Sequence, residues 1–406
     1  MKKELIITFS YYGIGGAQRR AFALADNFAK NGYTVYVLAV LGSDNTISTE
    51  NYYNVDKNVN LVLIPDFYHE HKTDKNIIKC EKRVTRQIHC LKLLQPFFKP
   101  FKKIIKRINF NINGLRKSVF LRSFLSSHQG ATIINFGFNI YDIVYFSAKG
   151  FNHKIIYAET NASNKYRSER FFDLTSKKIK KSHSLVFQTS EERKEHNLEK
   201  SKKSYVIHNP IKLGLPQPYS GNRDKKIVNF CRLSRQKNLL LLIKSFEQFY
   251  KDFPDYNLEI YADTTDPNNR EYKEELVAYI SEHNLGNCVH ILPPSSDIHN
   301  IILKSAMFVS SSDYEGISNS MIEAMAIGLP CVCTDCDGGG AKEMITDGEN
   351  GLLVPVKDVE ALKNAMVRMI TEDGLAEKCS KNAAKIRVTH SIEKISEQWL
   401  EVINNI

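Results

Sequence analysis

Short apolar runs alternate with amphipathic stretches along the first half of the chain. Residues 5–9 form such a run, and the stretch after the next glycine turn places Ala21, Leu24, Ala25 and Phe28 on one helical face. The following run, YTVYVLAV, is nearly all apolar, which is typical of strands in parallel sheets covered on both faces. The pattern returns in ATIINFG, HKIIYAET, SHSLVFQT and KSYVIHNP. We therefore predict a series of βαβ units and a doubly wound α/β domain.

A stretch rich in proline and glycine divides the chain into two parts. Residues 209–223, NPIKLGLPQPYSGNR, contain few apolar anchors, which is typical of an interdomain linker. A second series of strands and helices follows, beginning with KIVNFCRL and NLLLLIKSFEQFYKDF. We predict an N-terminal domain over residues 1–208 and a C-terminal domain over residues 209–389. Residues 390–406 predict a final helix that carries the only tryptophan, Trp399, and we expect this helix to pack back on the N-terminal domain.

The composition agrees with a folded protein of two domains. The chain has 406 residues, of which 42% are hydrophobic and 25% are charged. Its apolar runs are too short to span a bilayer, and the N-terminal stretch turns polar too early for a signal peptide, so we predict a cytoplasmic protein. Cys331, Cys333 and Cys336 lie close together in the sequence, but no second pair has zinc-finger spacing. Buried thiols are therefore favoured over metal ligands.

Positive charge is concentrated in one segment of the N-terminal half. The net charge is +11, and residues 71–128 hold 15 basic and 2 acidic side chains. Residues 72–122 mix lysine and arginine with large apolar residues, which predicts two or three basic amphipathic helices. Such helices bind anionic membrane surfaces at about 1 kcal/mol per basic side chain, and a solvated helical face is the alternative. Nucleic acid is disfavoured because the chain has neither zinc-finger spacing nor an RNA-binding aromatic signature.

Two glutamates eight positions apart flank a loop between a predicted strand and a predicted helix. The loop SDYEGISN contains Glu315 and Gly316, and the helix SMIEAMAIG contains Glu323. Ligands of open α/β sheets bind at the carboxyl ends of the strands, and a helix N-terminus there favours a phosphate. We expect Glu315 to face this cleft and Glu323 to accept hydrogen bonds from sugar hydroxyls. A capping box of Ser320 with Glu323, which needs no ligand, is the alternative.

Two further stretches supply groups suited to binding a pyrophosphate. CRLSRQKN places Arg232 and Lys237 between a predicted strand and a predicted helix, where two cations could clamp a diphosphate. Solvated surface cations are the alternative. The turn GIGGAQ places Gly15 and Gly16 before a helix, where their N–H groups could face an anion. The dinucleotide-binding motif is poorly supported, because Gln18 stands at its third glycine position.

Taken in order, these stretches resemble a known family. GGAQ, LVFQTSEERK, VIHNPI, CRLSRQKN, EGISNSMIEAMAIGLPCVCTD and DGENGLLVPVKDVEAL are similar to the retaining glycosyltransferases of family 4. The resemblance covers nearly the whole chain and is weakest over residues 50–130. It implies the GT-B fold, in which two Rossmann-like doubly wound domains face a cleft. The chain departs from the family in AETN, where Thr160 stands at a position that often holds histidine.

The resemblance implies a role for each candidate residue. Arg232 and Lys237 would hold the diphosphate of a nucleotide-sugar, Glu315 would lie beside the donor sugar, and Glu323 would bind the ribose hydroxyls. The other substrate-binding residues would be Gly15, Gly16, Glu159, Thr160, Gly316, Ile317, Ser318 and Asn319. No metal and no cofactor are expected, because cations and a helix N-terminus would stabilise the leaving diphosphate.

The sequence thus predicts a retaining glycosyltransferase that is peripheral on the inner face of the cell membrane. It would transfer a sugar from a UDP-sugar or another nucleotide-sugar to a lipid-linked glycan or a surface polysaccharide precursor. The anionic membrane surface would be held by residues 72–122, and no nucleic acid partner is expected. Two alternatives stay open: a nucleotide-sugar epimerase of GT-B-like fold, and a protein that binds a nucleotide-sugar or membrane without catalysis.

Overall fold

The computed structural model describes two α/β domains, each built on its own parallel sheet. The described residues are 3–10, 16–41, 57–63, 86, 89, 117–160, 177–265 and 269–406. Within them, the N-terminal sheet contains β1 (Glu4–Phe9), β2 (Thr34–Ala39), β3 (Val59–Leu63), β4 (Thr132–Phe136), β5 (Lys154–Ala158), β6 (Ser184–Phe187) and β7 (Ser204–Val206). The C-terminal sheet contains β8 (Asp224–Cys231), β9 (Asn257–Ala262), β10 (Val289–Leu292), β11 (Ser305–Ser310), β12 (Cys331–Asp335) and β13 (Leu352–Pro355).

The order of the strands identifies both sheets as doubly wound. The N-terminal order is β3-β2-β1-β4-β5-β6-β7, and the C-terminal order is β10-β9-β8-β11-β12-β13. Every pair of neighbours among these strands is parallel. The strand order reverses between β1 and β4 in the first sheet and between β8 and β11 in the second, which are the positions where such sheets bind ligands. The predicted fold class is therefore confirmed.

Helices alternate with the strands and cover the sheets. The N-terminal domain contains α1 (Gly16–Lys30), α2 (Tyr141–Ala148) and α3 (Ser190–Glu195), and residues 117–127 are also helical. The C-terminal domain contains α4 (Leu239–Asp252), α5 (Arg270–Glu282), α6 (Ile298–Ile302), α7 (Asn319–Ala326), α8 (Gly340–Met344), α9 (Val359–Thr371), α10 (Leu375–Ala383) and α11 (Ile386–Thr389). The chain then ends in α12 (Ile392–Asn404).

Both faces of the N-terminal sheet are buried. Leu5 and Ile7 of β1 pack in one apolar core, and Ile6, which points to the other face, packs in a second core. Helix α12 completes the first of these cores, because Trp399 is fully buried there and its ring centroid lies 5.8 Å from that of Phe136. The last helix of the chain therefore packs on the N-terminal domain.

The chain passes between the domains twice, and the two passages are bonded to each other. His208 lies on the first and His390 on the second, and their rings stack with an angle of 3° between planes. Nδ1 of His208 lies 2.9 Å from Nε2 of His390. Burial, followed by the charge of His208, lowers the pKa of His390 to about 4, so this ring is neutral at pH 7. A hollow of about 570 Å³ lies beside this pair and is lined in part by Glu343.

Most of the predicted basic segment, residues 72–122, lies outside the described residues. At its described end, Lys117 donates to the carbonyl oxygen of Leu41 at 3.2 Å, and Arg122 donates to that of Ser147 at 2.9 Å. These two cations are therefore bonded within the domain. In the part of the chain that is described, no helix has the length and apolar character needed to cross a membrane.

The clustered cysteines lie in the interior of the C-terminal domain. Cys331 and Cys333 of β12 are 0% and 1% exposed, and Cys336 just after the strand is 5% exposed. Burial raises the pKa of all three thiols, and that of Cys336 reaches about 12. They are packed as small apolar groups.

Candidate active site

Two of the predicted site residues contact each other across neighbouring strands. Lys237 follows β8 and Glu315 follows β11, and these two strands are paired in the C-terminal sheet. Because the strands are parallel, their carboxyl ends meet at one edge of the sheet. Nζ of Lys237 forms an ion pair with Oε2 of Glu315, and Nε2 of Gln236 lies 3.4 Å from the same oxygen. Residues 78 positions apart thus share one site.

Local hydrogen bonds fix the two loops that carry this pair. Lys237 ends a short 3₁₀ turn, and Asn238 has a left-handed φ of 44° and caps helix α4 by accepting from the amide of Leu241. The side-chain amide of Asn238 donates to Oδ1 of Asp313 at 2.8 Å. The hydroxyl of Ser311 donates to the carbonyl oxygen of Lys237 at 3.0 Å. Each loop therefore holds the other in place.

Lys237 is buried and charged, and a second cation lies near it. Its side chain is 10% exposed, and that of Glu315 is 20% exposed. Burial alone would lower the pKa of Lys237, but the Glu315 carboxylate outweighs this effect and the pKa lies above its usual value. The charge of Arg232 is close enough to oppose this rise, and Arg232 itself is exposed. The site therefore offers one buried cation and one that solvent can reach.

The loop before helix α7 lies directly against the start of helix α8. A Cβ atom on Gly340 would lie 1.8 Å from the carbonyl oxygen of Gly316, so only glycine fits at this position. Ser318, the N-cap residue of α7, accepts no hydrogen bond from the backbone N–H groups of the first turn, and its hydroxyl instead lies 3.0 Å from that of Ser320. The first N–H groups of α7 are therefore not capped by this side chain and keep their partial positive charge for an anion.

Glu323 lies one turn inside α7, and both of its carboxylate oxygens have partners. Oε1 forms an ion pair with Arg19 of α1, and Oε2 lies 2.7 Å from Nε2 of His299 in α6. The capping-box alternative is wrong, because the helix begins at Asn319 and Ser320 lies inside its first turn. Burial raises the pKa of Glu323, but the bond with His299 and the charge of Arg19 outweigh it, so the pKa is below its usual value. Glu323 is therefore a buried and ionised carboxylate.

The N-terminal domain brings its first helix and the start of the linker to the same place. Gly16 is the first residue of α1, and a Cβ atom there would lie 2.4 Å from Nδ2 of Asn319. The side-chain amide of Asn209 donates to the carbonyl oxygen of Ile317 at 3.2 Å. The N-termini of α1 and α7 therefore meet at the boundary between the domains. The other predicted glycine, Gly15, lies outside the described residues.

Glu159 and Thr160 follow β5 in the N-terminal domain. The Glu159 carboxylate accepts from the hydroxyl of Tyr157 at 2.6 Å and from the amide of Thr160 at 2.8 Å. Its carbonyl oxygen accepts from Nη2 of Arg20 at 3.0 Å. These bonds hold the Glu159 carboxylate within its own domain, whereas Lys237 and Glu315 belong to the other domain.

Four residues of this region were not predicted as site residues: Arg19, Glu192, Asn209 and His299. Arg19 lies in the first turn of α1, directly after the glycine turn. That position could have indicated it as a cation near the proposed anion site. Asn209 occurs in the VIHNPI stretch that carries part of the family resemblance. His299 has no signal in the sequence, because its position depends on how α6 packs beside α7.

Glu192 is the least expected of these residues, because it lies in a helix whose sequence, SEERKE, is that of a solvated surface. It is nevertheless fully buried, and Oε2 accepts from the amide of Gln188 at 3.0 Å. Oε1 faces Gly316, where a Cβ atom would lie 2.9 Å from it. Burial raises the pKa of Glu192 well above its usual range, and the charge of Glu159 adds to the rise.

Sequence comparisons with known proteins match the C-terminal domain to a family. Residues 216–386 match the family described as "Glycosyl transferases group 1". The poly(glycerol-phosphate) alpha-glucosyltransferase of Bacillus subtilis is 25% identical over 256 residues, which cover 62% of this chain and 37% of the relative. An N-acetylgalactosaminyltransferase of Campylobacter jejuni, whose name specifies a diphospho-undecaprenol substrate, is 34% identical over 165 residues, which cover 41% of this chain and 42% of the relative. The chain thus spans about two fifths of the length of these relatives.

Solved structures match the fold over its full length. The crystal structure of TarM has a TM-score of 0.75 and 14% identity, and the match covers 100% of this chain and 99% of TarM. HepE from Anabaena, solved in complex with UDP, has a TM-score of 0.73 and 15% identity, with 100% of both chains covered. At these identities the likeness shows the fold alone. Residues 216–386 are therefore similar to the glycosyl transferases group 1, and the chain has the two-domain GT-B fold that the sequence resemblance implied.

Proposed function

We propose that the protein is a retaining glycosyltransferase that uses a UDP-sugar as donor and needs no metal. The observation that carries this proposal is the meeting of an ion pair, the buried Lys237 with the partly exposed Glu315, and the N-terminus of α7, which its N-cap side chain leaves uncapped, at the domain boundary. Nucleoside diphosphates are anionic leaving groups, and fixed cations and helix N–H groups stabilise the charge that develops on them. Lys237, Arg232 and the first turn of α7 would perform that task.

The position of Glu315 supports a donor sugar beside the same cations. In the absence of an anion, its carboxylate balances the charge of Lys237. When a diphosphate binds, Lys237 gains a second anionic partner, and the carboxylate is left to accept hydrogen bonds from sugar hydroxyls. Retention would follow if the leaving phosphate itself takes the proton of the acceptor on the same face of the sugar.

The relatives support the classes of donor and acceptor. HepE was solved with UDP, and the matched curated relatives act, by their names, on poly(glycerol-phosphate) and on a diphospho-undecaprenol glycan. We therefore propose a UDP-sugar donor and a lipid-linked or polymeric surface-glycan acceptor for this chain. Closure of the two domains would exclude water and align the reactants.

Nucleotide binding followed by turnover, both in EDTA, tests the function. UDP and at least one UDP-sugar should raise the melting temperature, and that UDP-sugar should then support transfer to an undecaprenol-diphosphate glycan or a teichoic acid acceptor. Lys237→Ala should weaken UDP binding by roughly 10- to 100-fold, as expected for the loss of a buried charge-assisted contact. Lys225→Ala is the matched control, because Lys225 pairs with Asp255 at the surface of the same domain.

The alternatives give different results in these assays. Release of an epimerised sugar without an acceptor would identify an epimerase, and binding without turnover over a broad acceptor panel would identify a non-catalytic protein. If transfer stops in EDTA and returns with a divalent cation, the metal-independent mechanism is wrong.

We also propose that the enzyme works on the inner face of the cell membrane, held there by the cations of residues 72–122. The protein should co-sediment with vesicles that contain phosphatidylglycerol but not with pure phosphatidylcholine vesicles. A variant with K102Q, K103Q, K106Q and R107Q should bind roughly 1,000-fold more weakly, since each of the four cations contributes about 1 kcal/mol at an anionic surface. Binding that does not respond to salt or to these substitutions would contradict the proposal.

A further inference from the structure

An arginine of the N-terminal domain contacts the carboxylate that, as the family resemblance implies, would bind the ribose of the donor. Arg19, in the first turn of α1, forms an ion pair with Oε1 of Glu323, which lies in α7 of the other domain. His299, from the same domain as Glu323, holds Oε2 at 2.7 Å. Both oxygens that could accept hydrogen bonds from ribose hydroxyls are thus already engaged by protein groups.

The two partners of Glu323 differ in how easily they can move. The side chain of His299 is 7% exposed, and its ring packs edge-on against Phe230 with centroids 5.7 Å apart. The side chain of Arg19 is 31% exposed, and long side chains at partly exposed positions change rotamer readily. An incoming ligand would therefore displace Arg19 and leave His299 in place.

We propose that Arg19 competes with the ribose hydroxyls of the nucleotide for Glu323 and thereby lowers the affinity of the enzyme for its donor. The inference rests on the proposed function, because it takes a nucleotide to be the ligand and, as the family resemblance implies, its ribose to be the partner of Glu323. When only a fraction of molecules has Arg19 turned away from Glu323, the apparent dissociation constant rises in inverse proportion to that fraction. The contact also joins the two domains, so nucleotide entry would exchange a contact between domains for a contact with ligand.

The test compares two ligands on two variants. Isothermal titration calorimetry would measure the binding of UDP and of 2′,3′-dideoxyuridine diphosphate, which lacks both ribose hydroxyls, to wild type and to Arg19→Ala. The variant should bind UDP about three- to tenfold more tightly, the effect expected for removal of a partly exposed competing ion pair. Its affinity for the dideoxy ligand should not change, because that ligand has no hydroxyls with which to replace Arg19.

Two further variants separate the effect from general damage. Arg19→Gln shortens the side chain and removes its charge but keeps its polarity, and it should bind UDP more tightly than wild type if Arg19→Ala does not fold. Lys30→Ala is the matched control, because Lys30 lies in the same helix and its ion pair is with Asp26 of that helix, with 2.7 Å between Nζ and Oδ2. Its affinity for both ligands should equal that of wild type.

Each other outcome overturns the inference in a recognisable way. Weaker binding of both ligands to Arg19→Ala would make Arg19 a direct ligand of the diphosphate. An equal gain in affinity for both ligands would mean that Arg19 acts on domain closure. Unchanged affinity for both would mean that Arg19 has no effect on nucleotide binding. If UDP binding depends on Lys237 but not on Arg19, the proposed function survives and this inference fails. If neither wild type nor Arg19→Ala binds any nucleotide, both fail.

Discussion

Glu315→Gln is expected to lower the rate of sugar transfer by about 10²- to 10³-fold, the loss typical of removing one preorganised charged group from an active site. The substitution keeps the size of the side chain and can keep the contact of Gln236 with residue 315, which is 3.4 Å long in the native protein. It removes the negative charge beside Lys237 and replaces one of the two carboxylate oxygens, which would accept from the proposed donor sugar, by an NH2 donor. Steady-state kinetics with a UDP-sugar and its acceptor would measure the effect on kcat and KM.

The same change also leaves Lys237 buried without its counter-charge, so stability must be measured separately. We expect a loss of about 1–3 kcal/mol in the free energy of unfolding, less than for a fully buried pair because Glu315 is partly exposed. A double variant, Glu315→Gln with Lys237→Met, removes both charges and should regain most of this stability while staying inactive. Transfer at wild-type rate by Glu315→Gln would show that the reaction takes place elsewhere.

The pairing of Lys237 with Glu315 could be anticipated from the sequence, and the reason is topological. Both residues follow apolar runs that predict parallel strands, and the carboxyl ends of such strands meet at one edge of the sheet. Strands β8 and β11 are neighbours in the C-terminal sheet, so residues 78 positions apart come into contact. The same local patterns predicted the buried face of α1, where Ala21 and Phe28 are fully buried.

The contact of Arg19 with Glu323 could not be anticipated in this way. It joins two domains, and its geometry depends on how the two sheets are placed relative to each other. The pattern of apolar residues within either domain does not predict that placement. Local analysis offered two roles for Glu323, binding of sugar hydroxyls and a capping box with Ser320 as the alternative, and neither includes Arg19. The N-cap is Ser318, two residues before Ser320, and the packing of α6 and α1 against α7 decides the partners of the carboxylate.

The sequence indicated Gly316 as a site residue but gave no sign of Gly340, the glycine that lies against it in the structure. Gly316 needs no left-handed φ, and its role in the structure is to let other groups approach its backbone. The group that comes nearest belongs to α8, which follows the next strand in the sheet. The requirement for glycine on that helix is visible only when both loops are placed together.

Gly340→Ala is therefore expected to lower activity by about 100-fold or more, because small displacements of positioning groups cost that much in catalysis. Its Cβ atom would lie 1.8 Å from the carbonyl oxygen of Gly316 and 2.9 Å from Cα of Ile317. Both contacts are with backbone, so no side chain can turn away, and the loop that carries Glu315 to α7 must shift. We expect a loss of about 1–3 kcal/mol in the free energy of unfolding, as for other overpacked sites.

Gly286→Ala is the matched control for this prediction, because a Cβ atom at residue 286 meets no atom within 4 Å and the residue has no left-handed φ. Denaturant unfolding would give the stability of both variants, and titration with UDP followed by turnover would give binding and rate. Gly286→Ala should match wild type in all three measurements. For Gly340→Ala, weakened UDP binding in a folded protein would place the damage at the start of α7, where the diphosphate is proposed to bind. Full activity would mean that the loop can move without consequence, and the site built on its position would be wrong.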